Sequence, residues 1–386
     1  MNQNFKVVFS KARNALMVVN EATASVQHKG AKTVIAAAVA SLLAGTALAA
    51  EWKDAPAAGQ DTLIITEKHA QKGDELSLKS LDQAKKNNVY ILEFDSNAQK
   101  PAYDGFFSAR EGSHVFQKGQ SLWVVGVSTN NGEKPMLPQS HGLYANAATV
   151  ANEGAVYVTS TGTAKSWSQK GMMADKGGTA LNQGVIVAKN AYGMTVGSTA
   201  GNDRKGSGIE NGLSGDITVI YTGVGMELGG AAQSKGINRG VINVGAPSSA
   251  KGSFTHGVQI KDSNENTFTN DGTINAQKGT TAINVDVTPK EDGKGHADNK
   301  ETKGNRVLLN NGSTINGLIR VGKYVENTEI QVSEKAAVNG NLELSGTGTK
   351  LKGSEAGSAI NGNLQILAGD TSVSNNLTVQ NVAVSA

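Results

Sequence analysis

The stretch Asn238-Arg239-Gly240-Val241-Ile242-Asn243-Val244 returns 32 residues later as Asn270-Asp271-Gly272-Thr273-Ile274-Asn275-Ala276. Earlier copies are Asn152-Glu153-Gly154-Ala155-Val156-Tyr157-Val158 and Asn182-Gln183-Gly184-Val185-Ile186-Val187-Ala188, and a degraded copy starts at Asn310. A second motif, Gly followed by apolar-x-apolar, occurs from Gly142, Gly193, Gly225 and Gly257, with a weaker copy from Ala282. Gly193, Gly225 and Gly257 are spaced by 32, and in two consecutive units the Asn motif follows the Gly motif by 13 residues. Self-similarity at such a period is the signature of a repeat architecture.

Each motif reads as a short strand with alternating apolar residues, one side facing a core and the other water. The Gly or Asn-x-Gly ahead of it reads as a turn with positive φ, which Gly and Asn adopt cheaply. Two or three such strands cannot bury their own apolar face, but stacked repeats can. The expected fold is therefore all-β, a right-handed parallel β-helix. Its core column would hold Val156, Ile186, Ile242 and Ile274. Asn152, Asn182, Asn238 and Asn270 fall at equivalent turn positions, so their amides are expected to hydrogen-bond as a ladder along one edge.

The solenoid is expected over 140–386, as roughly 9–11 rungs of about 20–30 residues, rising about 4.8 Å each. Val287–Arg306, charged and without apolar pattern, reads as a loop between rungs, and the stretch from Thr199 as a shorter one. Residues 50–139 hold four of the six prolines and Trp52, Trp123, Phe94, Phe106, Phe107 and Phe116, with strands expected at Thr62–Glu67, Asn87–Phe94 and Ser121–Val127. Asp74–Asn87 is open to a short helix or a loop. A solenoid needs its first apolar face covered, so this segment is expected to be a cap or a small separate β-rich domain.

Composition agrees with an exported, repetitive chain. There are 386 residues with no cysteine, which excludes disulfides and thiolate metal sites. Gly is abundant at 47 and aromatics are only 5%. The net charge of +3 comes from the start of the chain. Without residues 1–49, which carry five Lys/Arg and one acid, 31 bases face 32 acids. The body has no basic excess, so charge does not point to nucleic acid.

No activated-serine, His-Glu-x-x-His, phosphate-loop or calcium-nonapeptide motif occurs. No catalytic residue, metal site or cofactor is expected, and His141 and His256, each before a repeat Gly, read as turn residues. The rival reading is a carbohydrate-active β-helix enzyme with paired carboxylates on neighbouring rungs. Its candidates are Asp262 with Asp286, one rung apart, and Asp216 with Glu227 in adjacent strands.

The start of the chain is built differently. Lys29 and Lys32 precede an apolar run from Val34 to Ala44, and Ala47-Leu48-Ala49 supplies small residues for signal peptidase. Cleavage is expected after Ala49, or secondarily after Ala50. The run is shorter than the about 20 residues of a membrane span, so no transmembrane segment is expected after cleavage. Ahead of it, Phe5, Val7, Val8, Phe9 and Leu16–Val19 alternate with Lys6, Lys11 and Arg13, a pattern that suits an amphipathic basic helix at a membrane surface or, equally, an ordinary signal with a long n-region.

Met1-Asn2, Lys6-Val7, Lys11, Arg13, Val18-Val19 and Glu21 closely resemble the extended signal peptide region of Gram-negative type V secreted proteins. Phe5 and Phe9 stand where that family usually has Tyr and Trp. The resemblance implies export through the inner membrane by the export machinery, with residues 1–49 as signal. The repeats generically resemble autotransporter passengers. The implied role is a surface adhesin or self-associating structural protein at the cell surface or secreted, with glycans, proteins or other copies of itself as partners. The family's translocator barrel is not legible in these strands, and the Asn-Pro-Asn-Gly stretch of two-partner secretion does not occur. A truncated passenger, a fragment and export through a partner barrel stand as the readings of that departure.

Overall fold

The computed structural model describes residues 5–10, 15–20, 50–57, 62–66, 76–77, 89–95, 107–128, 141–162, 169–197, 206–230, 232–245, 255–290, 295, 297 and 300–385. Two compact units are present, Met1–Leu48 and Ala49–Ala386.

In the first unit, Phe5–Ser10 pairs antiparallel with Ala15–Asn20, Phe5 opposite Asn20 and Ser10 opposite Ala15. This replaces the amphipathic helix expected there. Both runs are rich in Val or Phe, which lose side-chain freedom in a helix and fit a pleated strand. The apolar run from Val34, together with Ala47 and Ala49, lies outside the described residues.

The second unit is a parallel β-helix. One face is a ten-stranded parallel sheet running from Ser113–Phe116 through Thr149–Asn152, Thr179–Asn182, Gly208–Asn211, Lys235–Asn238 and Thr267–Asn270 to Thr371–Ser374. Among the described residues, twenty further strands supply the second and third faces. Asn190 and Tyr221, at φ 53° and 65°, lie where Val185–Val196 and Asp216–Gly229 pass from the second face to the third. Part of the loop expected from Thr199 is strand, because Gly208–Asn211 belongs to the first face. The described residues between Val287 and Arg306 belong to none of the strands, as expected of a loop.

Parallel pairing also runs through the segment expected to be a cap or a separate domain. Thr62–Thr66 pairs with Val89–Asp95, Val89–Asp95 with Ser121–Ser128, and Ser121–Ser128 with Ala155–Gly162. Within the expected helix or loop at Asp74–Asn87, Leu76–Ser77 is strand and the rest lies outside the described residues.

The core is a set of inward columns. Val156 pairs with Ile186, Ile186 with Ile217, Ile217 with Ile242, and Ile242 with Ile274. All five are fully buried. Fully burying one such side chain is worth about 1.5–3 kcal/mol, and no single rung could supply the neighbours above and below.

The repeat glycines have a different cause from the one expected. Gly154, Gly184, Gly240 and Gly272 are not at positive φ. A Cβ at Gly184 would run into the carbonyl oxygen of Gly154, one at Gly240 into that of Gly215, and one at Gly272 into that of Gly240. The second motif behaves alike: a Cβ at Gly193 or Gly225 would lie 2.6 Å from the carbonyl oxygen of Gly225 or Gly257. Rungs stack so closely at these corners that only a residue without Cβ fits.

On the exposed side of the first face, Glu329 accepts a 2.6 Å hydrogen bond from Lys352 and another from Arg306. The Lys352 bond, followed by Arg306, holds its carboxyl below the usual carboxylate range. The stabilisation is present above the ordinary glutamate pKa and is lost as pH falls through the lowered value. Because both bases are half-exposed, Glu329→Gln is expected to cost only about 0.5 kcal/mol at pH 7. Urea midpoints of variant and wild type should converge in acid, and a constant gap down to pH 2 would contradict the assignment.

Candidate functional site: amide ladders and the outer polar faces

The first ladder lies in the interior. Asn152 donates to Asn182 (2.8 Å), Asn182 to Asn211 (2.8 Å), Asn211 to Asn238 (2.9 Å) and Asn238 to Asn270 (2.8 Å). All five side chains are buried. The ladder therefore fills an internal corner. Asn211 was absent from the expected set because its turn reads Asn-Gly-Leu-Ser-Gly, two residues longer than Asn-x-Gly. The degraded copy at Asn310 explains where the ladder stops. Leu309 pairs with Asn270, and Asn310 bonds instead to Asp271.

A second ladder runs along the outside of the second face. Asn275 donates to Asn243 (3.0 Å), Asn316 to Asn275 (2.7 Å), Asn339 to Asn316 (2.9 Å) and Asn361 to Asn339 (3.0 Å). Each amide has two donor hydrogens and an acceptor oxygen with two lone pairs. In Asn275, Asn316 and Asn339 one donor and one acceptor position serve the ladder and leave a second of each, whereas Asn243 is buried and hydrogen-bonds Asp216 as well. From Asn275 onward these side chains are half-exposed. Their signal was the recurring Val-Ile-Asn, Thr-Ile-Asn, Ala-Val-Asn and Ala-Ile-Asn, whose Asn falls on the outward phase of each strand.

Beside this ladder, where the second face turns into the third, lies an open cleft of about 400 Å³. Gln277, Lys278, Asn341 and Glu343 supply its polar lining, and Gly317 and Gly340 its floor. The loop Gln277–Thr280 projects from one rung, whereas the next two rungs turn the corner directly at Gly317 and Gly340. The cleft is the step between them.

The outward side of the third face carries polar groups in register. Thr195 pairs with Glu227, Glu227 with Gln259, Gln259 with Asn284, and Asn284 with Arg320. Burial pushes the Glu227 carboxyl up, opposed by Lys170 and Lys261. The charge of Glu227, reinforced by burial, raises the Tyr192 hydroxyl. His256 is lowered to about 4 by burial, with Arg320 and Lys261 adding to it.

His141 and His256 are not turn residues: both lie within strands, buried. Of the expected carboxylate pairs, Asp262 and Asp286 lie on neighbouring rungs offset by one residue, whereas Asp216 and Glu227 are not in adjacent strands. Asp216 and Glu227 belong to one strand, Asp216–Gly229, on either side of its corner. The register partner of Asp286 is Lys261, not Asp262. Asp262 accepts from the Thr288 amide (2.8 Å) and hydroxyl (2.7 Å), and Asp286 from the Val287 amide (2.9 Å). Both carboxylates hold the start of the loop after Asp286. Of the cleavage candidates, only Ala50 lies among the described residues, its backbone nitrogen donating to Thr218 Oγ1 (3.1 Å).

Residues 1–50 match the Extended Signal Peptide of Type V secretion system. That match assigns the chain to export by the type V route, and it covers the stretch that carries the resemblance. No curated protein and no solved structure matches the chain. Among the described residues, no helix is long and apolar enough to cross a membrane.

Proposed function

We infer that the protein is a type V exported passenger that works at the cell surface or after release as an adhesin or self-associating structural protein, without catalysis. The observation that carries this reading is the outer amide ladder Asn243–Asn275–Asn316–Asn339–Asn361 beside the polar cleft. Identical groups at rung spacing present many weak contacts at once to a repeating partner, and such contacts reinforce one another. A glycan chain, rich in hydroxyl donors and acceptors, suits them.

The test uses the chain from Ala50 on immobilised polysaccharides and on whole cells. Wild type is expected to be retained. Asn316→Ala combined with Gln277→Ala is expected to lower retention at least tenfold while circular dichroism stays unchanged. Equal retention would remove this surface from the account.

Catalysis on polysaccharide is the second reading, and Glu227 is the observation favouring it. A carboxyl raised by burial is a property of general acids. Polysaccharide cleavage by wild type that Glu227→Gln abolishes would establish this reading instead.

A further inference from the structure

The outward column of the second face changes character along the helix. Ile91, Trp123, Tyr157 and Val187 follow one another in register, and then come Thr218 and Asn243. The first four are apolar and buried although they point away from the core. Their cover comes from residues just after the expected cleavage point. Trp52 sets its edge against Tyr157, centroids 6.0 Å apart at 89°, and Tyr157 stacks on Trp123 at 4.9 Å. Trp123 Nε1 donates to the Lys53 carbonyl (2.9 Å). Lys189 places its ammonium 5.3 Å from the Trp52 ring. Ala50 reaches Thr218, where the column turns polar, and Thr218 Oγ1 donates in turn to Asp216 Oδ1 (3.3 Å). The strap thus crosses successive rungs, from Thr218 back to Trp123.

The geometry points to a processing latch: cleavage after Ala49 turns the Ala50 nitrogen into an ammonium that Thr218 and Asp216 hold, fastening Ala50–Asp54 across the aromatic outer face. Hydrolysis by the signal protease consumes one water, leaving a carboxylate on Ala49 and an amine on Ala50. That amine is largely protonated at neutral pH, its ordinary pKa being about 7.7–8.0. In the precursor the same nitrogen is a neutral amide with one hydrogen. After cleavage it has three hydrogens and a positive charge, one hydroxyl removed from the partly buried Asp216 carboxylate through Thr218, and charge-assisted bonds are about twice as strong as neutral ones. The signal's departure thereby clamps the first rungs of the helix. This rests on cleavage after Ala49 and is independent of what the outer ladder binds.

Hydrogen exchange read by mass spectrometry tests it on four forms of the chain from Ala50: free amine, Nα-acetylated, Asp216→Asn and Trp52→Ala. Acetylation restores the neutral single-hydrogen amide of the precursor, removing the charge and two of the three hydrogens. Amides of residues 52–54 are expected to exchange about tenfold faster in the acetylated and Asp216→Asn forms, and fastest in Trp52→Ala, which shows that the readout responds to strap release. Equal rates in the free-amine and acetylated forms would overturn the latch. Intact mass of the chain exported from a Gram-negative host gives the natural first residue separately. A start at Ala50 supports the proposal, and any other start overturns it, whatever the exchange rates show.

Discussion

Replacing Gly240 by asparagine is expected to destabilise the helix by about 3 kcal/mol, as much as replacement by alanine. The reasoning separates two causes that glycine usually confounds. Were Gly240 needed for positive φ, asparagine would be tolerated, since it enters that region more readily than other side chains. Gly240 is not at positive φ. Its missing side chain makes room for the carbonyl oxygens of Gly215 and Gly212 in the rung before. Any Cβ there pushes two rungs apart, and the strain spreads along the stack. Gly177 is the internal control, at φ +79° with open space around a Cβ. There asparagine should be milder than alanine, which costs about 1 kcal/mol. Urea unfolding midpoints of the four variants read the comparison directly. Asparagine matching wild type at position 240 would show that conformation, not contact, selects this glycine.

Asn211→Ala is expected to cost about 3–4 kcal/mol, three or more times the cost of Asn275→Ala. Asn211 sits in the middle of the interior ladder, accepting from Asn182 and donating to Asn238 as well as toward the Gly215 and Val241 carbonyls. Truncation leaves the Asn182 amide and the Asn238 oxygen without their ladder partners in a dry corner. Each buried polar group left unsatisfied costs about 1–3 kcal/mol. Asn275 occupies the same kind of chain on the outside, where water replaces the lost partner, so its removal costs nearer 1 kcal/mol. Thermal or urea unfolding of the two variants gives the ratio. Equal losses would mean that the interior ladder is solvated.

The inward columns were legible because they are local. Strict alternation in Val156–Val158, Ile242–Val244 and Ile274–Ala276, recurring along the chain, admits one way to hide the apolar side. The interior ladder was legible wherever Asn-x-Gly kept its spacing, and it slipped at Asn211 when the turn lengthened. The glycines were located correctly and explained wrongly, because backbone-to-backbone distance between rungs has no trace in a single repeat. The outer ladder stood in plain sight as Thr-Ile-Asn, but reading it required the phase of each strand. The strap was beyond sequence reading. Nothing local in Glu51-Trp52-Lys53 says that Tyr157 and Lys189 wait for the indole, since those contacts exist only once the rungs are stacked. At the start of the chain, basic residues among apolar ones suggested a helix, whereas the clustering of Val and Phe prevailed as an antiparallel pair.

The claim beneath all of this is that sequence repeats become rungs of one cylinder. Thr149 is followed in register by Thr179, Gly208, Lys235, Thr267, Arg306, Glu329 and Lys350. The chain has no cysteine, so pairs of introduced cysteines can be spin-labelled without background. Distances from Thr149→Cys to Thr267→Cys and to Lys350→Cys, measured by pulsed dipolar spectroscopy, should be about 19 and 34 Å, four and seven rungs at about 4.8 Å. Proportionality to rung number, whatever the residue separation, is the predicted result. A second distance equal to or shorter than the first would contradict the stacked helix.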